Sequence, residues 1–247
     1  GMHVICQKPM ALSMADCLAM CEACERAGMR LLVHENWRWQ PWYREAKRLL
    51  DAGALGRVVQ VSFFWRTGDG RGPEPYAVQP YFRQMPRLLV YETLVHLLDT
   101  YRYLLGEVEA LDCLLARVNP AIAGEDQALI QLRFASGALG VIDANRITGP
   151  APALVAMGSL VLEGDRATLR LSPDGRLWLT PHGQPEREHG FPTTNAGYKG
   201  DSVFATQEHL VDCLRSGRRS ESDGGDYLKT VALVEACYRA AATGTRV

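Results

Sequence analysis

From Val108 to about Phe191 the chain is written in period two. The segments VEALDCLLARV, QALIQLRF, ALGVIDANRI, SLVLEG, ATLRLS and RLWLTP follow one another with Gly, Asn, Asp or Pro between them. Alternation of this kind buries one side of each strand and closes through short turns, so it predicts an antiparallel meander. That sheet needs a cover. Helical patterns supply it on both sides in sequence: Pro41 to Gly56 (with YREAKRLLDAGALG), Arg87 to Leu105 stopped by Gly106, Ser202 to Arg215, and Gly225 to Ala242. A further strand is read at Val58 to Arg66 (VVQVSFFWR), followed by a Gly/Pro-rich loop from Gly68 to Pro80 that is expected to lie flexibly over a cleft.

The first 35 residues follow a different rule. His3 to Cys6 is a short apolar run, Ser13 to Asp16 forms a capping box opening a helix that Gly28 closes, and Arg30 to His34 (RLLVH) is another strand. A strand-helix-strand unit belongs in a parallel sheet with neighbours. The fold expected is therefore α+β: a large open, mainly antiparallel sheet with helices on one face, preceded by a short βαβ unit. Residues 2–35 form that unit and residues 36–247 the α+β domain. The unit's unpaired edges predict either repacking against the main domain or exchange between subunits. The face without helices, with apolar alternation in QALIQLRF and ALGVIDANRI, is the expected interface of a homodimer.

Charge excludes some partners. A formal net charge of -1, with both signs interspersed, gives no field for nucleic acid or an anionic membrane. No apolar run approaches the ~18 residues of a membrane helix, and the N-terminus lacks the features of a secretion signal, so a cytoplasmic protein with a small-molecule or protein partner is expected. Gly1 ahead of Met2 reads as a cloning scar. The seven cysteines, an odd number, sit mostly in apolar patterns (Cys6, Cys113, Cys213, Cys237) and suit buried thiols better than a disulfide framework.

Three patterns invite chemistry. Cys17, Cys21 and Cys24 have the spacing of a cluster-binding triad, but they fall at i, i+4 and i+7 of a capped helix, the spacing of a packing stripe. Gly68-Asp-Gly70-Arg-Gly72 follows a strand like a phosphate loop, yet Pro73 and Pro75 forbid the helix that would receive a pyrophosphate. Glu92, His96 and Asp99 place a carboxylate one turn to either side of an imidazole, which would fix its tautomer and raise its pKa for general acid/base work; a polar edge on an amphipathic helix is the competing reading. A Glu/His pair is also half of a metal site, with no second pair evident, so no metal is expected.

The segment HVICQKPMALS (His3 to Ser13) resembles the HVxCEKPxAxS segment of the glucose-fructose oxidoreductase, inositol dehydrogenase and MocA (Gfo/Idh/MocA) family, where it leaves the Rossmann domain. LLVHENWRWQPWYREAKRLLDAGALGRVVQVSF is similar to the family's N-x-R-F-x-P segment and G-x-I-G turn, and GDYLKTVALVEACYRAAATGTRV to its C-terminal helix. The resemblance makes residues 2–35 the remnant of a dinucleotide-binding domain. It implies an NAD- or NADP-dependent oxidoreductase acting on a sugar or polyol hydroxyl, with Lys8, Glu92 and His96 catalytic, Lys8 meeting the cofactor, and Trp37 and Arg38 (with Trp39) near the substrate. Core packing of the tryptophans is an equal alternative.

Gln7 stands where the family has Glu, Glu92 where it has Asp, and Leu94, expected to crowd a sugar, where it has Gly; RQMPRLLVY replaces a Gly-rich approach. The family's dinucleotide unit of roughly 100 to 150 residues would precede Met2 and is not in these 247 residues. The polypeptide alone is therefore expected neither to bind the cofactor nor to turn over, and a non-enzymatic carbohydrate-binding or interaction module derived from the family is the alternative.

Overall fold

The computed structural model describes residues 1–149, 155–194 and 196–247. Strand β1 (Val4–Gln7), helix α1 (Met14–Arg26) and strand β2 (Leu31–His34) form the expected unit, with β1 and β2 paired in parallel. Ser13 caps α1 by accepting from the Asp16 amide at 3.1 Å, and Gly28 leaves the helix in the left-handed region. Strand β2 is buried along its length, and its Val33 exchanges hydrogen bonds with Ser222: the carbonyl accepts from the Ser222 hydroxyl at 2.6 Å, and the amide donates to the Ser222 carbonyl at 2.8 Å. Met10, Cys17, Leu31 and Val33 join the same apolar core as the large sheet. The segment is thus seated on the body of its own chain. Cys17 is fully buried and Cys21 and Cys24 partly so, which makes the cysteine stripe one packing edge of α1.

Helix α2 (Pro41–Asp51) starts on a proline at its first position, where the missing N–H costs nothing. Among the described residues the large sheet has eight strands: β3 (Val58–Arg66), β4 (Val108–Ala116), β5 (Gln127–Phe134), β6 (Leu139–Asn145), β7 (Gly158–Gly164), β8 (Ala167–Leu171), β9 (Leu177–Pro181) and the short β10 (Arg187–His189). Their order is β10-β9-β8-β7-β3-β6-β5-β4. The expected uninterrupted meander is corrected here. Strand β3 is inserted between β6 and β7, antiparallel to β7 and parallel to β6, so the meander splits into two antiparallel wings joined by a strand from earlier in the chain.

Helices α3 (Val95–Leu105) and α5 (Gly224–Thr243) lie over one face, and α4 (Ser202–Ser216) completes the helical layer near β2. Tyr101 reaches from α3 to donate to the Val141 carbonyl of β6 at 2.9 Å. The strand periodicity serves this covered face: Ala128, Ile130, Leu132 and Phe134 of β5 and Ile142 and Ala144 of β6 are all buried. The uncovered face is consequently mixed rather than apolar, with Phe64, Leu114 and Leu139 exposed among Gln131, Arg133 and Asp143. Among the described residues no helix is long and apolar enough to cross a membrane.

The helix expected over Arg87 to Leu105 is two pieces. Leu89–Leu94 is a π-helical turn and α3 follows it, ended by Gly106 at φ 88°. The π turn forms because its first amides are taken by side chains from elsewhere. Glu125 accepts from Leu88 at 3.2 Å and from Val90 at 3.0 Å, and the Tyr238 hydroxyl accepts from Tyr91 at 3.2 Å. The Gly68 to Pro80 loop, expected to be flexible, is tied down instead. Asn119 donates to the carbonyls of Gly70 and Gly72, and Arg146 pairs with Asp69.

Candidate active site

The wide π turn and α3 present Glu92 and His96 to one cleft of about 480 Å3, and the β1 end presents Gln7 and Lys8 to the same space. Lys8, Glu92 and His96 are therefore brought together. The Lys8 ammonium donates to the Glu92 carboxylate and to the Glu92 carbonyl, both at 2.7 Å. The second carboxylate oxygen accepts from Thr93 at 2.8 Å, and the Thr93 hydroxyl in turn accepts from Arg146 at 3.0 Å. Burial raises the pKa of Glu92, but the Lys8 charge, the hydrogen bonds from Lys8 and Thr93 and the nearby His96 together outweigh it and hold the group below its ordinary value, so it is a carboxylate.

The carboxylate that orients His96 is neither Glu92 nor Asp99. It is Glu35, just past β2, whose Oε1 lies 2.5 Å from His96 Nδ1. Glu35 is wholly buried and fully engaged: the same oxygen accepts from the Trp37 amide at 3.0 Å, and Oε2 accepts from the Tyr227 hydroxyl at 3.0 Å. Burial works against its charge, yet His96, the Trp37 amide and Lys8 together pull its pKa below the ordinary value. For His96 burial wins: its pKa is lowered despite Glu35, which corrects the expected rise. A carboxylate at Nδ1 and a neutral ring fix the tautomer with Nδ1–H donating. Nε2 is then the free lone pair of a side chain that lines the cleft.

Trp37 stacks on His96 with ring centroids 5.0 Å apart and on Trp65 at 5.1 Å, and lines the cleft as well as the core. This tryptophan is at once a core residue and a wall of the cleft. Arg38 departs from expectation. Its guanidinium turns inward onto Asp99, at 2.6 and 2.8 Å, and onto the Glu221 carbonyl at 2.9 Å, and it does not line the cleft. A bidentate buried pair is a structural clamp, and it removes Asp99 from the imidazole as well as Arg38 from the ligand. Trp39 turns away too, to stack near His209 at 4.5 Å under Arg44. Leu94 does not crowd the cleft, since the π turn points it into the core, where it is fully buried. Tyr198, held neutral with its pKa up to about 12 by burial beside Glu92 and Glu35, closes the cleft from the far side. Among the described residues no cluster of three or more His, Cys, Asp or Glu is set to hold a metal.

Glu35 is the site residue that the reading of the sequence missed. A carboxylate directly after three apolar strand residues and a histidine is placed for burial, and a buried carboxylate needs a partner of opposite or titratable charge. That signal was in LLVHE.

The fold is an open sheet under helices, and it carries an imidazole held by a carboxylate and an ammonium at one cleft. An oxidoreductase from Agrobacterium radiobacter, in complex with NAD+, L-tartaric acid and magnesium, has a similar fold, with a TM-score of 0.90 and 35% identity over 99% of this chain and 72% of its own. The GFO/IDH/MocA C-terminal domain matches residues 43–170, and this chain belongs to the Gfo/Idh/MocA family. It is similar to the D-apiose dehydrogenase of Paraburkholderia graminis, at 39% identity over 100% of this chain and 66% of that protein. It is also similar to the D-apiose dehydrogenase of Rhizobium rhizogenes, at 36% over 98% and 71% respectively. The chain thus spans about two thirds of the length of these curated relatives.

Proposed function

We propose that this chain is the substrate-handling part of an NAD- or NADP-dependent oxidoreductase acting on a sugar or polyol hydroxyl. The observation that supports this best is the His96 ring, held by Glu35 at Nδ1 and lining the same cleft as the Lys8 ammonium, with burial lowering its pKa toward the neutral form. A neutral imidazole with one open nitrogen takes a hydroxyl proton, and a positioned ammonium stabilises the oxygen as negative charge develops on it. The O–H bond breaks toward Nε2 and a carbonyl forms. A bound nicotinamide would supply the hydride acceptor for the same carbon.

Lys8 and Gln7 are the residues at hand for the nicotinamide end. Lys8 is held from the Glu92 side, so its charge stays fixed rather than swinging into solvent. Glu35 holds the ring, and Trp37 stacks against the imidazole and keeps it in place. The adenosine and pyrophosphate are assigned to a dinucleotide-binding unit outside these residues, which makes turnover by the chain alone negligible. The uncovered sheet face is assigned to pairing with a second copy.

The test is turnover of aldoses and polyols with NAD+ and NADP+ by the chain alone and by the chain with a dinucleotide-binding domain joined ahead of it. Reduced cofactor is expected only from the joined form, with His96→Gln lowering kcat by about 10²- to 10⁴-fold. Turnover by the chain alone, or an unimpaired His96→Gln, contradicts the assignment.

A further inference from the structure

A second cavity lies beside the cleft. Tyr198 lines both, and the second, of about 640 Å3, is walled in part by Trp42, His189 and the turn that carries Lys199. That turn is unusual in its backbone. Gly197, Lys199, Gly200 and Asp201 all have φ between 47° and 71°, and two of them are not glycine. Such conformations are sparsely populated and persist where the surroundings over-determine them. Here the turn is pressed onto the start of α2, so closely that a Cβ on Gly200 would come within 2.5 Å of Pro41.

The strained turn carries Lys199 over the Trp37 ring at 5.6 Å and the Tyr198 ring at 5.5 Å, the same two residues that line the active-site cleft. Its ammonium donates to the Val155 carbonyl at 2.5 Å, which uses one of three donors. Every neighbouring charge on these two cavities has a counter-charge. Lys8 has Glu92, Arg146 has Asp69, Arg176 has Asp174 and Glu188, and His189 has Glu45. Among the described residues Lys199 has no carboxylate partner, and residues 150–154 and 195 carry no acidic side chain. Burial pulls its pKa down to about 8, the direction expected of a cation that lacks a counter-charge.

We propose that Lys199 binds a carboxylate on the substrate, so that the sugar or polyol whose hydroxyl sits at His96 is an acid whose anionic end reaches past Trp37 into the second cavity. One unpaired cation matches one negative charge, which favours an aldonate- or uronate-like acid over a phosphate dianion. The inference rests on the assignment of the His96 cleft to a polyol.

Calorimetric titration of the chain with sodium D-gluconate and with D-glucitol, which share a carbon skeleton and differ in the charged end, tests it. At pH 7 gluconate is expected to bind roughly tenfold or more tightly than glucitol, the difference a charge-assisted hydrogen bond supplies. The preference should shrink at pH 9, where Lys199 is largely neutral, disappear in Lys199→Met and persist in Lys199→Arg. Equal binding of the two by the wild type, or an undiminished preference in Lys199→Met, overturns the role of Lys199 while leaving the polyol assignment standing. Binding of neither overturns both.

Discussion

At the scale of single residues the site depends on who holds whom. Asp99 and Arg38 lie near His96 in sequence or in expectation, yet they spend their charges on each other, and Arg38 is only 5% exposed. Arg38→Ala leaves Asp99 ionisable, buried and unpaired, and is expected to cost about 3–5 kcal/mol in denaturant unfolding. Removing both, as in Arg38→Met with Asp99→Leu, should cost clearly less than the sum of the single changes, because each single change strands a charge. The resemblance named Lys8, Glu92 and His96 and they do meet, but periodicity alone placed only Glu92 and His96 on one helix edge. Glu35 lies 61 residues from His96 in the chain. No local spacing connects two residues that far apart, and the nearer carboxylates Glu92 and Asp99 offered a simpler partner. Arg38 was misread for a related reason: an arginine between two tryptophans has the look of a sugar platform until a buried carboxylate claims it.

At the scale of elements, strands declared themselves and their neighbours did not. Val58–Arg66 and Gln127–Phe134 are bounded in the structure as their alternation predicts. The insertion of β3 between β6 and β7 was illegible because alternation reports which face is buried and says nothing of which strand lies alongside. The π turn was illegible too. Its amides are satisfied by Glu125 and Tyr238, so a helix of uniform period was the natural reading of LLVYETLVHLL. A π turn costs helix regularity and is retained mostly at functional sites; here it points Leu94 to the core and Glu92 to the cleft. Glu125→Ala therefore strands buried amides and frees the turn. It is expected to cost about 1–3 kcal/mol of stability by thermal unfolding, and to weaken polyol binding in calorimetry further than a loss of folded protein explains. Polyol binding unchanged in the folded variant would show that the turn does not position the cleft.

At the scale of the whole molecule, helices cover one side of an eight-stranded sheet and leave the other open. That face carries Phe64, Leu114 and Leu139 at 44%, 66% and 52% exposure among charged and polar neighbours, a mixture suited to an interface rather than an interior. If that face pairs two copies as proposed, the wild type sediments as a dimer and Phe64→Glu as a monomer, without lowering the melting temperature of the monomer fold by more than a surface change does. A wild-type monomer would contradict the assignment of that face. The N-terminal βαβ unit feeds Lys8 into a cleft whose other walls include the segment just after β2, β3, the 79–85 segment, the π turn, α3 and the turn before α4. The site is thus a product of the assembled chain, and His96 is its centre. Its ring should be neutral at pH 7, protonated only at Nδ1, because burial lowers its pKa below the ordinary ~6.5. Protonation, and with it loss of the base, should set in only as the pH falls below that value. Nitrogen NMR of the His96 ring, titrated with acid and with D-glucitol, measures this directly. The predicted result is an unprotonated Nε2 at pH 7 whose signal moves when glucitol binds; a cationic ring at pH 7, a proton on Nε2, or no response to the polyol would contradict the account.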